Sequence, residues 1–84
     1  METTKQRPSL GRIVIVAGVP SNGADEQPAL ITRVWNDDSV NVHVHLDAAS
    51  DRPVIALTSL PLYASKELGV KAGLQLFAYW PART

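Results

Sequence analysis

The eight residues from Val40 to Asp47, VNVHVHLD, alternate without interruption. Val40, Val42, Val44 and Leu46 fall on one side of an extended chain, and Asn41, His43, His45 and Asp47 on the other. Side chains in a strand point to opposite faces with period two, whereas a helix would scatter these residues around its circumference. This stretch is therefore a strand with one apolar face, and that face needs a sheet or barrel interior to cover it. The whole chain has 84 residues, and a domain of that size buries only about 60% of the surface its unfolded chain exposes. One thin core is all it can build, with little room for a deep cleft.

The remaining segments extend the same plan. Residues 1–9, METTKQRPS, are polar and aperiodic, which predicts a flexible N-terminal arm ahead of a single domain over residues 10–84. Strands are predicted over about residues 11–17, 28–35, 40–47, 53–58 and 74–80. The first is rich in β-branched residues suited to a pleated surface and is apolar on both faces, so burial on both sides is expected. Gly18 to Gln27 holds Pro20, Ser21, Asn22, Gly23 and two acids, and is expected to be the longest and most exposed loop. Pro28 and Pro53 stand at strand starts, where no ladder donor is lost.

Between Pro61 and Gly73 the period-two pattern lapses. A single helical turn over Ala64 to Leu68, ended by Gly69, is the expectation there. Five short strands at close spacing leave no length for crossover helices, so the predicted fold is an all-β, five-stranded SH3-like barrel with at most one short helical turn. Closure would also remove long exposed edges.

The expected core is Val14, Leu30, Val34, Val42, Val44, Ile55 and Leu76. Register in the central hairpin is set by charge: if Leu30, Thr32 and Val34 face inward with Val42 and Val44, then Arg33 and Trp35 share the outer face with Asn41 and His43. The opposite register would bury Arg33 without a partner, at a cost of several kcal/mol. This choice requires a five-residue connection or a bulge. In the last strand, Leu74, Leu76, Ala78 and Trp80 are expected opposite Gln75, Phe77 and Tyr79.

The blocks GRIV at Gly11 to Val14, PALITRVW at Pro28 to Trp35, VNVHVHLD, TSLP at Thr58 to Pro61 and the terminal YWPAR resemble a group of small proteins encoded by tailed phages and prophages. The resemblance runs through most of the chain in order and spacing. It departs in a longer insert between Tyr63 and Gly73 and in the second histidine. What it implies is an SH3-like barrel and a phage context in the host cytoplasm, where small accessory proteins inhibit or sequester a host factor. It implies no catalytic or ligand residues.

Charge and composition narrow the function. Eight basic and eight acidic residues give a formal net charge of zero, which disfavours nucleic-acid binding, since that normally rests on a basic excess. No cysteine is present, so there is no disulfide framework or thiolate chemistry. The longest apolar run, Ile13 to Val19, is far short of a membrane span.

His43, His45 and Asp47 lie on one strand face with the spacing of three metal ligands. They resemble the start of the H-x-H-x-D-H signature of metallo-β-lactamase-like hydrolases, but Ala48 stands where the closing histidine belongs. No metal or other cofactor is expected. Serines occur without a nucleophile elbow, and Gly18 and Gly23 lack the following helix of a phosphate loop.

The expectation is a non-enzymatic accessory binding protein that contacts a host protein or captures a small signalling molecule. A small virion or assembly component is the first alternative, and a metal-dependent enzyme or nucleic-acid binder the further one. Residual apolar surface predicts a homo-oligomer. The candidate interface residues are His43, His45, Trp35, Arg33, Asn41 and Tyr79.

Overall fold

A computed structural model describes residues 7–21, 23–46 and 54–81. Of the predicted features, most of the N-terminal arm (residues 1–6), Asp47, the loop over 48–52 and Pro53 lie outside the described residues. The elements run β1 (Ile13–Ser21), β2 (Ala24–Asn36), β3 (Ser39–His45), β4 (Val54–Tyr63), α1 (Lys66–Lys71) and β5 (Phe77–Tyr79). β1 to β4 form an antiparallel meander. The short β5 pairs with β4 in parallel and with β1 antiparallel, which closes the barrel. The fold is the small all-β, SH3-like barrel the sequence predicts, with one short helix.

The barrel is filled by Val14 and Val16 from β1, Ala29 and Ile31 from β2, Val40, Val42 and Val44 from β3, Leu60 and Leu62 from β4, and Ala78 and Trp80 at the C-terminal end. The alternation in VNVHVHLD thus does what its pattern requires: three valines point in, and His43 and His45 are exposed. A second, smaller cluster sits outside the barrel wall. Ala17, Phe77 and Tyr79 are buried there, with Ile15 and Tyr63 packed against them, and the Tyr63 and Phe77 rings meet edge-on at 5.8 Å.

Helix α1 covers this second cluster. Gly69 is buried, and a Cβ at that position would lie 2.2 Å from the Phe77 ring, so the helix approaches through its missing side chain. The glycine expected to end the helix instead lies inside it. The chain leaves at Gly73, whose φ is +79° and whose N–H donates to the Val70 carbonyl.

Several expectations are corrected. Gly18 to Gln27 is not a long loop: β1 runs on to Ser21, which pairs with Ala24 across a tight turn bearing Gly23 at φ +83°. Asn-Gly, at positions 22 and 23, is a favoured dipeptide for a two-residue hairpin turn. The hairpin is irregular between Ala17 and Ser21, and the buried Gln27 amide stitches it by donating to the Val19 and Ala24 carbonyls.

Gly18 is needed in this stretch, because its φ is +104° and a Cβ would stand 2.0 Å from the Gln75 carbonyl oxygen. That close approach belongs to a loop, and β5 accordingly spans three residues rather than 74–80. Leu76 is 39% exposed and is not core. With α1 covering the outer side, Phe77 and Tyr79 are buried as well as Ala78 and Trp80.

β4 is longer than predicted and carries Pro61 within it. β1 is buried on both sides only from Ile15 to Ala17, since Ile13 is 48% exposed. Leu30 is half-buried and Thr32 exposed, while Ala29 and Ile31 take the inward positions on β2. The alternation expected through Leu30, Thr32 and Val34 is interrupted by a bulge at Thr32.

Candidate functional site

Three irregularities in the ladders converge on Asn41. On β2, Ile31 pairs with Val42 and Arg33 with Asn41, leaving Thr32 as an extra residue; Val34 pairs with Val40 and Asn36 with Ser39, leaving Trp35 as another. On β4, Leu57 pairs with Val42 and Leu60 with Val40, so Thr58 and Ser59 together oppose Asn41. A bulge bends its strand and re-aims the side chains around it. Here the first bulge lets Val34 pack inward while Arg33 stays out, and the second turns Trp35 outward, where it is 51% exposed.

The Asn41 carboxamide ties these bulges together. Its Oδ1 accepts a hydrogen bond from the Trp35 indole Nε1 at 2.7 Å and another from the Ser59 backbone N–H at 2.8 Å. Ser59 has a φ of +52°, a left-handed conformation that a residue with a side chain rarely adopts. Its position opposite Asn41 in the β4 bulge accounts for that geometry, and the hydrogen bond to Asn41 helps to hold it. Strained backbone of this kind clusters at binding and switch regions. Arg33 completes the group, with its guanidinium carbon 4.3 Å from the centre of the Trp35 ring. Such a cation–π contact contributes about 0.5–1 kcal/mol at an exposed position.

Arg33, Trp35 and Asn41 are therefore one connected cluster. His43 and His45 continue the same outer face of β3: His43 lies level with Leu30 on β2 and Ala56 on β4, and His45 with Val54. Ile13 pairs with Leu30 and adds a further exposed apolar side chain. Among the described residues no three His, Cys, Asp or Glu side chains come together as a metal centre would require, and Asp47 lies outside them.

Tyr79 stands apart from the other candidates. It is buried in the cluster under α1, where its hydroxyl donates to Glu26, and the other carboxylate oxygen of Glu26 takes the Lys66 ammonium. This trio joins β5, β2 and α1. Hydrogen bonds from Lys66 first and Tyr79 second hold the Glu26 carboxyl below its ordinary range. The Tyr79 phenol is pushed up to about 12, by burial first and by Glu26 second. The same carboxylate raises Lys66. The role of Glu26 gave no sign in the sequence, because its partners are 40 and 53 residues away.

No helix among the described residues is long and apolar enough to cross a membrane. Compared with protein-family models, curated proteins and solved structures, the chain matches none, so the reading of this face rests on its geometry.

Proposed function

We propose that this chain is a non-enzymatic binding protein and that the outer face around Trp35 is its contact surface. The observation that carries the reading is the half-exposed Trp35 ring, in cation–π contact with Arg33 and hydrogen-bonded to Asn41. Tryptophan and arginine are the residue types most enriched at the energetic centres of interfaces. A ring already fixed in place loses little side-chain freedom on binding, which favours affinity. The face lies on the convex outside of a filled barrel, which suits a protein partner better than the concave, enclosing site a small molecule needs.

The phage resemblance supplies the setting of this proposal: an accessory protein acting in the host cytoplasm by occupying a host factor. A second surface favours a second reading. Leu68, Val70, Leu74 and Leu76 are all exposed, at 48%, 59%, 37% and 39%. They form an apolar stretch over α1 and the loop after it, suited to self-association or to a place in a larger assembly. A homo-oligomer built there would leave Trp35 free for a partner.

Capture from bacterial lysate with the wild-type chain and with Trp35→Ala, each followed by identification of bound proteins, tests the main reading. The expected result is a stoichiometric protein retained by wild type and lost with Trp35→Ala, while the variant keeps its β-type circular dichroism. Equal retention by both would move the contact elsewhere.

A further inference from the structure

Arg33 and Asn41 each keep hydrogen-bond donors open at the Trp35 cluster. The side-chain acceptor at its centre, Asn41 Oδ1, is occupied by two N–H groups, and the indole donor of Trp35 is used on it. The Asn41 amide nitrogen and the Arg33 guanidinium have no hydrogen-bond or ion-pair partner among the described residues. The guanidinium carbon lies over the Trp35 ring at 4.3 Å, a contact that uses none of the guanidinium N–H groups as hydrogen-bond donors to a side chain or backbone acceptor. No acidic residue occurs on β2 from Pro28 to Asn36, nor anywhere on β3 or β4, and Arg33 is the single lysine or arginine there; the acids nearest to Trp35 in sequence are Asp37 and Asp38, in the turn that follows β2.

Resting on the reading of this face as a binding surface, we propose that it docks an acidic segment of a partner protein. One carboxylate sits against the Arg33 fork and the Asn41 amide, and a neighbouring apolar side chain lies along the Trp35 ring. Arginine and a carboxylate pair through two parallel hydrogen bonds, which fixes orientation as well as adding affinity. A nucleic-acid strand fits less well: it needs several cations along its phosphates, and Arg33 is the single lysine or arginine on β2 from Pro28 onward, β3 and β4, on a chain of zero net charge.

The test is selection of the full chain against a displayed library of random twelve-residue peptides, with titration of the winners and of a fifteen-nucleotide oligothymidine. The expected winners carry Asp or Glu beside an aromatic or aliphatic residue. They weaken at least tenfold with Arg33→Gln, lose binding with Arg33→Glu, and regain it when the peptide's acid is changed to Lys.

Winners without acidic residues that still depend on Trp35 would overturn this inference and leave the binding face standing. Winners indifferent to Trp35 would overturn both. Failure to enrich any sequence, or Arg33-dependent binding of the oligonucleotide alone, would also overturn the acidic partner. Arg33 is exposed and outside the core, so its variants are expected to fold.

Discussion

Individual side chains do two separate jobs on this barrel: Asn41 holds an outer face together, and Glu26 ties α1 to the strands beneath it. Asn41, Arg33 and Trp35 could be set on one outer face from alternation and from the cost of burying a charge. That Asn41 is the hub of three bulges could not, because alternation says nothing about where a ladder takes an extra residue. Leu30 shows the consequence: an unbroken count from Val34 places it inside, and the bulge at Thr32 puts Ala29 and Ile31 there instead. Glu26 does the other job, linking Lys66 and Tyr79.

Its folded pKa is depressed, so its contribution is present above the unfolded value near 4.5 and is lost as pH falls through the folded value. Tyr79 has the opposite sign: raised to about 12, it contributes fully below the unfolded value near 10 and loses that contribution as pH climbs between the two. Thermal melts of wild type and Glu26→Gln should therefore differ at neutral pH and converge in acid. A gap that persists unchanged at low pH would remove the carboxylate from the account. Lys66 and Glu26 are solvent-exposed enough that the ion pair alone is worth little, so the Tyr79 hydrogen bond should carry most of the difference.

Among the elements, β3 was the most legible and β5 the least. A strand that buries one face and wets the other writes its period directly, as Ser39–His45 does. β5 is covered on both sides, inside by the core and outside by α1, so Phe77, Ala78 and Tyr79 are buried in succession and no period survives. The extent of β1 and β2 was obscured differently: turn-forming residues there close a tight hairpin rather than a loop. α1 is too short to be stable alone and is held by packing and by the Lys66–Glu26 contact. Its close seat on Phe77 depends on Gly69 having no side chain. Gly69→Ala raises helix propensity, yet the added methyl meets a ring that is 2% exposed and cannot yield. Overpacking of this kind typically costs about 1–3 kcal/mol, more than the roughly 1 kcal/mol gained in propensity. Denaturant unfolding should show Gly69→Ala less stable than wild type, and a gain in stability would mean that α1 does not pack as described.

At the scale of the molecule, the described side chains of the core fill the closed barrel, and the functional reading rests on its outer wall. Besides the irregularity between Ala17 and Ser21, that wall departs from regular pairing around Asn41, where Thr32, Trp35 and the Thr58–Ser59 pair are all pushed out of register. The claim on which the functional account turns is that this departure fixes Trp35 in place before any partner arrives. Nitrogen-15 relaxation of the Trp35 indole Nε1–H in the free protein tests it most directly, with Asn41→Ala as the control. The account predicts an order parameter close to that of rigid backbone, about 0.85, falling in Asn41→Ala; a value below about 0.6 in the wild-type chain would contradict it.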